Sequence, residues 1–454
     1  MSGWAERRLH FIGIGGAGMS GLALVCAQLG AEVSGSDRAD SSYMERLRAA
    51  GLDPVVGHDA ANLPEGAAVV VSTAIAADNP ELAAARERGV EPIHRGALLA
   101  ELCAEKRLIA IAGTHGKTTT TAMTVWALRA LGADPAFFVG GEVPGLGPGG
   151  TPVNAGWGGG EWAVAEADES DASFLALRPE VAVVTNLEMD HHARWGSLAE
   201  LHAAFGRFLA PARAAVLPAD GSIDELAPAG IELAGFDAQR PGPAELGLAV
   251  PGRHNRANAR AALAAIGCAL AAADGAEPRA PRQELIDGAA AALAGFPGVR
   301  RRLELKGRRR AVSIYDDYGH HPTEVRAALS ALRELDPPPT RVIAVFQPHL
   351  YSRTRAFAEQ FGAALALADE AVVLDVYPAR EQPVGELAGV SGLDVARAAA
   401  DRMGGRRVRW APTAAGAARA LVPQLDDAAA GTVLVTIGAG DVFRLGEALV
   451  AEAP

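Results

Sequence analysis

A lysine and a threonine that close a glycine-bearing loop are the residues of this chain best equipped for chemistry. Gly113-Thr114-His115-Gly116-Lys117-Thr118 follows the apolar run Arg107 to Ala112 and precedes a helical stretch from Thr119. Glycines let backbone N–H groups point at phosphate oxygens, and the start of the following helix adds positive potential. Lys117 would reach the terminal phosphates of ATP, and Thr118 would offer its hydroxyl to Mg²⁺. The usual phosphate loop sets its glycines five residues apart. Here Gly113 and Gly116 are three apart, a compressed variant of the same device. A plain turn rarely needs Gly-Lys-Thr between strand and helix, so the loop from Gly113 to Thr119 is expected to bind ATP.

Two further groups belong beside this loop. Glu166 ends an apolar run and opens the stretch Glu166-Ala167-Asp168-Glu169-Ser170-Asp171. A carboxylate at the C-terminal end of a strand sits where α/β sheets place ligands, and it could hold Mg²⁺ directly or through water. A solvated acidic loop is the alternative. After the next apolar run, Val181 to Thr185, comes Asn186-Leu187-Glu188-Met189-Asp190-His191-His192. Asp190-His191 reads as a second metal or base site and His192 as structural. The candidate metal ligands are Thr118, Glu166 and His191, the last equally a candidate base.

An earlier loop, Gly13-Ile14-Gly15-Gly16-Ala17-Gly18, fits the dinucleotide fingerprint, with Asp37 about 20 residues on as the ribose acid. Alone it suits an NAD-dependent oxidoreductase. The fingerprint reports a pyrophosphate on a helix N-terminus, however, and not hydride chemistry. A UDP-sugar carries the same diphosphate, and an ATP loop further along the chain makes it at least as good a reading.

A third set follows later strands. Tyr315-Asp316-Asp317-Tyr318-Gly319-His320-His321-Pro322 is one polar cluster, and Phe346-Gln347-Pro348-His349 leads into Tyr351, Ser352, Arg353, Thr354 and Arg355. Arginines at such an edge suit carboxylate or phosphate recognition, because the guanidinium fork matches two oxygens.

The elements that must carry these groups are short apolar strands alternating with helices, the pattern of parallel sheets covered on both faces. Strands are expected near Leu9 to Ile14, Glu32 to Asp37, Ala67 to Ser72, Arg107 to Ala112, Trp162 to Glu166, Val181 to Thr185, Ala311 to Tyr315, Arg341 to Phe346, Ala371 to Val376 and Val433 to Ile437. Val143 to Gly160, rich in Gly and Pro, reads as a surface loop, and Ala257 to Ala273 as an alanine-rich helix. At about 150 residues per domain, 454 residues predict three domains. The boundaries fall near 105 and 297, giving 1–105, 106–297 and 298–454. The expected class is α/β: a Rossmann-like N-terminal domain, a P-loop-type central ATPase domain and a doubly wound C-terminal domain.

Composition narrows the partners. With a net charge of -12 the chain has no global attraction for nucleic acid or an anionic membrane. Any phosphate must be held by local groups. Hydrophobic residues at 49% and charged residues at 21% are ordinary for a globular protein. Cys26, Cys103 and Cys268 lie far apart in apolar stretches and read as buried small hydrophobes in a reduced compartment. No signal peptide and no apolar run of about 18 residues is read, so a cytoplasmic protein is expected.

Taken together, these stretches resemble the Mur ligase family. The resemblance rests on His10 to Gly21, Gly113 to Thr121, Glu166 to Phe174, Gly252-Arg253-His254-Asn255 and Asp316 to Glu324, which span nearly the whole chain in family order. The first and last of these look like the alanine-adding branch. The resemblance implies ATP- and Mg²⁺-dependent joining of L-alanine to UDP-N-acetylmuramate through an acyl phosphate, by a monomer or homodimer. A relative adding a peptide or another amino acid is the near alternative.

The resemblance also implies roles. Gly15, Gly16, Ala17, Gly18, Met19, Ser20, Asp37, Ser72, Thr73, His94 and Arg95 would line the UDP-sugar. His254, Asn255 and Asn258 would lie on the adenine side, and Asp317, Tyr318 and His321 would close on ATP. Lys117, Glu166, His191, His349 and Arg353 would serve catalysis, with His191 or His349 as the base. His349 and Arg353 would face the amino acid and the muramoyl carboxylate. Between Phe208 and Val250 the chain looks shorter than is usual for the family.

Overall fold

Strands of two to eight residues, most of them joined by helices, assemble into three sheets. The computed structural model describes residues 3–189, 195–237, 246–273, 279–379 and 381–451. The chain divides into two compact units, one of Met1–Ala249 with Asn255–Pro297 and one of Val250–His254 with Gly298–Pro454.

The first unit holds two sheets. One is built from β1 (Arg8–Ile12), β2 (Glu32–Asp37), β3 (Val55–Val56), β4 (Ala68–Val71) and β5 (Ile93–His94), with helices α1 (Ala17–Gln28), α2 (Ser42–Ala49), α3 (Pro80–Glu87) and α4 (Arg95–Cys103). All its strands are parallel, in the order β3-β2-β1-β4-β5. The order reverses between β1 and β4, and a crevice at the strands' C-terminal ends is the ligand position of such sheets. The loop after β1, Asp37 at the end of β2, Ser72 and Thr73 after β4, and His94 at the end of β5 all fall on that edge.

The second sheet uses β6 (Arg107–Ala112), β7 (Ala136–Val143), β8 (Val153–Gly156), β9 (Trp162–Glu166), β10 (Val181–Val184), β11 (Ala214–Pro218) and β12 (Glu232–Phe236), with α5 (Lys117–Ala130), α6 (Leu198–Leu209), α7 (Arg253–Ala273) and α8 (Arg279–Leu293). Its order is β12-β11-β10-β6-β9-β7-β8. Strand β6 is buried along its length after Arg107, flanked by β10 and β9. The ends of these three strands carry Gly113, Glu166 and Thr185.

Val143 to Gly160 is not simply a surface loop. It returns as β8, antiparallel to β7 at the sheet edge. Glycine at 156 makes this possible, because a Cβ there would lie 2.7 Å from Phe137 Cε1. The strand also docks α1: Asn154 Nδ2 donates to Ala17 O at 2.6 Å, and a Cβ on Gly21 would lie 2.9 Å from Ala155 Cβ. One apolar core accordingly runs from Leu9, Phe11 and Leu22 to Ala155, Ala165, Phe174 and Phe205.

The second unit is a sheet of β13 (Glu304–Arg309), β14 (Val312–Asp317), β15 (Arg341–Phe346), β16 (Glu370–Val373), β17 (Arg407–Trp410) and β18 (Thr432–Ile437), in the order β13-β14-β18-β15-β16-β17. Only β13 is antiparallel to its neighbour. Helices α9 (Pro322–Arg333), α10 (Tyr351–Leu365) and α11 (Gly392–Arg402) accompany it, with α12 (Ala414–Asp426) and α13 (Phe443–Ala451). Among the described residues, two apolar clusters of this unit share the alternating side chains of β15, Val342, Ala344 and Phe346 in one and Ile343 and Val345 in the other. The strand expected to reach Val376 stops at Val373.

All three cysteines are buried, and burial pushes the Cys26 thiol up to about 12. Among the described residues no helix is long and apolar enough to cross a membrane.

Candidate active site

The loop after β6 is shaped by two glycines in left-handed backbone, Gly113 at φ 124° and Gly116 at φ 83°. Space as well as conformation demands them. A Cβ at 113 would lie 2.2 Å from Thr185 Oγ1, and one at 116 would lie 2.5 Å from Asn258 Oδ1. Neighbouring strand ends brace the turn. Asn186 O accepts from Thr114 N–H at 3.1 Å and Asn186 Oδ1 from His115 N–H at 2.9 Å, while Asn186 Nδ2 donates to His115 O at 2.9 Å. The Thr114 hydroxyl donates to Glu188 O at 3.1 Å, and His115 Nε2 lies 3.5 Å from Glu188 Oε2.

Lys117 and Thr118 open α5. Lys117 Nζ donates to Gly113 O at 2.7 Å and sits 2.9 Å from Glu169 Oε2. Thr118 Oγ1 donates to Glu166 Oε1 at 3.1 Å, and Glu166 Oε2 accepts Gly140 N–H at 2.8 Å. A hydroxyl and a carboxylate so placed are hard oxygen donors, which suit Mg²⁺. Burial works against the Lys117 ammonium, but Glu169, Asp168 and Glu166 together hold it above the ordinary lysine value. Burial pushes Glu169 up to about 7 despite Lys117. Burial opposes the charge of Asp168 too, yet Lys117 and Arg95 hold its carboxyl well below the usual range. The acidic stretch is therefore tied to the loop by Glu169 and is only partly open to solvent. Thr119 is buried, and Asn258 reaches the loop from α7, accepting from Thr120 Oγ1 at 3.3 Å and donating to Asn255 Oδ1 at 3.3 Å.

The loop after β1 is built differently. Asp37 Oδ2 accepts Gly15 N–H at 2.9 Å, and the Ser41 hydroxyl, which also caps α2, donates to Gly15 O at 3.2 Å. Asp37 thus braces the turn as well as standing where a ribose acid is expected. Gly16 caps α1 with no side chain across its end. Met19 and Ser20 are buried in the first turns, with Ser20 Oγ donating to Ala17 O at 3.0 Å. Ser72 Oγ accepts Ala74 N–H at 3.4 Å, which places Ser72 and Thr73 in the turn after β4. His94 caps α4, its Nδ1 accepting Gly96 N–H at 3.2 Å. Arg95 leans toward α1, where a Cβ on Gly18 would lie 3.1 Å from its Nη1. Its Nη2 is 2.9 Å from both Asp168 and Asp171. The two glycine loops are therefore joined through Arg95, Asp168, Glu169 and Lys117.

In the second unit the expected residues gather at the C-terminal ends of β14 and β15. Asp317 accepts Leu303 N–H at 2.8 Å and Gly319 N–H at 2.7 Å, and burial pushes its carboxyl up to about 7. The Arg301 and Arg302 guanidiniums lie 4.9 and 5.2 Å from the centre of the Tyr318 ring. His321 caps α9 in a reciprocal box with Glu324 and packs against Phe357. His349 stacks on Tyr377 with ring centres 5.7 Å apart, and Arg353 Nη1 lies 3.4 Å from His349 Nδ1. The apposed His349 and Arg353 could receive an amino acid's carboxylate. His254 lies in the first turn of α7.

Asp190, His191 and His192 lie outside the described residues. Sequence reasoning passed over Glu169, Asp171, Asn186 and Arg301. The first two stood inside a quoted acidic stretch, but nothing local marks which carboxylate meets Lys117 or Arg95.

Family models match the chain three times: the Mur ligase family catalytic domain over residues 8–107, the Mur ligase middle domain over 111–241 and the Mur ligase glutamate ligase domain over 301–440. A UDP-N-acetylmuramate–L-alanine ligase of Paenarthrobacter aurescens is 44% identical over 98% of this chain and 96% of its own length. That of Kineococcus radiotolerans is 46% identical over 97% of this chain and 94% of its own. The crystal structure of the UDP-N-acetylmuramate-alanine ligase of Thermotoga maritima superposes with a TM-score of 0.77 at 27% identity, covering 98% of each chain. Nothing in these comparisons favours a nicotinamide-dependent oxidoreductase.

Proposed function

The chain belongs to the Mur ligase family, and from that premise we propose that it joins L-alanine to UDP-N-acetylmuramate with hydrolysis of ATP, in the cytoplasm. The observation that carries this reading is the pairing, in one compact unit, of a Rossmann-type loop with a Lys117 loop flanked by Glu166 and Glu169. The close relatives' substrate supports the choice of alanine. The UDP-sugar is assigned to 1–105, ATP to 106–297 and the amino acid to 298–454.

A carboxylate is a poor acyl donor because its oxygen leaves badly. Transfer of the γ-phosphoryl group to the muramoyl carboxylate gives an acyl phosphate and ADP. The amine of alanine then attacks the acyl carbon, and phosphate departs with the electron pair of the broken C–O bond. Lys117 and the N–H groups of the glycine loop stabilise the transferring phosphoryl oxygens by position and charge. Mg²⁺, held by Thr118 and Glu166 with His191 as the further expected ligand, would supply neutralisation of phosphate charge. Arg353 and His349 are assigned to the amino acid, and His191 or His349 to its ammonium proton.

The test is phosphate release with UDP-N-acetylmuramate, ATP and each amino acid in turn. Release that depends on alanine supports the assignment. Release with no amino acid present, or only with a peptide, would replace it.

A further inference from the structure

Asp171 stands in the acidic stretch that follows β9, yet it reaches toward the other glycine loop. Its Oδ2 lies 2.9 Å from Arg95 Nη2 and 3.7 Å from His94 Nε2, and its Oδ1 accepts Ser173 N–H at 2.9 Å. The side chain is only 5% exposed. The backbone holds this arrangement closely, since a Cβ on Gly96 would lie 2.2 Å from Ser173 Cβ. Helix α4, which carries Arg95, is thereby fixed against the segment that carries Asp171.

The consequence lies in the direction of the guanidinium. Asp168 and Asp171 both take Nη2, while Nη1 stays beside Gly18 at the first turn of α1. A diphosphate seated at that helix start would meet a cation already aimed. An arginine without such partners samples many rotamers and must be ordered on binding, which lowers affinity. We propose that Asp171, although it follows a strand of the sheet assigned to ATP, is a positioning residue for the UDP-sugar and acts through Arg95.

This inference rests on the ligase reading, and its experiment separates the two. UDP-N-acetylmuramate and ADP binding would be measured by calorimetry on the full chain and on Asp171→Asn, Arg95→Met and the double variant. Asp171→Asn should weaken UDP-N-acetylmuramate binding about tenfold, the loss of one charge-assisted hydrogen bond. ADP affinity should fall by clearly less, because Asp171 reaches the Lys117 loop only indirectly, through Arg95 and Asp168. In the Arg95→Met background, Asp171→Asn should add nothing. Should Asp171→Asn not fold, Asp171→Glu keeps the charge but shifts the oxygen by one methylene, and it too should weaken the UDP-sugar more than ADP. Unchanged affinity, equal loss for ADP, or additive losses in the double variant would overturn the proposal. Absence of UDP-N-acetylmuramate binding by the unaltered chain would overturn the ligase reading itself.

Discussion

Lys117 is held by its own loop and by Glu169, and on the proposed assignment those contacts would be exchanged for phosphate oxygens when ATP binds. Lys117→Ala should therefore abolish ATP-dependent product formation while leaving UDP-N-acetylmuramate binding largely intact, because that ligand is assigned to another loop, which Lys117 reaches only through Asp168 and Arg95. Equal loss of both would speak against separate sites. Glu169 gives a pH signature to the unliganded protein. Its folded value of about 7 lies above the ordinary 4.5, so the folded state holds the proton more tightly. The contribution to stability is complete below pH 4.5 and is lost as the pH rises through 7. Glu169→Gln keeps an acceptor for Lys117 and should flatten the melting temperature across that window. A variant that melts in parallel with the parent would disprove the assignment.

At the scale of elements, Glu81 on α3 ties the first sheet together. Its carboxylate meets His10 Nε2 on β1 at 3.2 Å, Ser36 Oγ on β2 at 2.6 Å and Asn62 Nδ2 at 2.8 Å. Burial opposes the charge, but these partners hold the carboxyl down at about 2. The stability it contributes is present above pH 4.5 and lost as the pH falls toward 2. Glu81→Gln should cost about 2 kcal/mol at neutral pH, as expected for a buried charged acceptor, with the gap closing in acid; urea melts at several pH values would show it. Little in the sequence pointed to this hub, because its partners lie 71, 45 and 19 residues away. Strands such as β6 and β15 were legible because short continuous apolar runs rich in β-branched residues suit a sheet covered on both faces. Strand β8 was not, since its Gly- and Pro-rich surroundings mimic a loop. The glycine loops were readable for a local reason: left-handed backbone and close approach restrict those positions to one residue type. The pairing of Lys117 with Glu169, and of Arg95 with Asp171, is set by strand order, which no single segment carries. Capping by His94 and His321 was hidden behind the chemistry expected of histidine.

On the scale of the whole molecule, the proposed ligands are assigned to three sheets, and the acyl phosphate must be shielded from water until the amine arrives. Turnover should then be limited by motion rather than by bond making. Glycerol that doubles solvent viscosity should roughly halve kcat, while equilibrium ADP affinity stays constant; a kcat indifferent to viscosity would remove closure or release as the slow step. With a net charge of -12, attraction for phosphates would have to come from local groups, for which Lys117 and Arg95 are proposed.

The docking of β8 on α1 has a consequence for any attempt to recombine these enzymes. Gly21 and Ala155 meet where one extra methyl would collide, and Asn154 is bonded to the first turn of the helix behind the first glycine loop. A chimaera that takes its first 105 residues from a relative with a bulkier side chain at position 21 would inherit a wedge between two binding regions. Exchanging residues 153–156 from the same donor should restore the fit, so the two stretches form a single heritable module despite the distance between them in the chain.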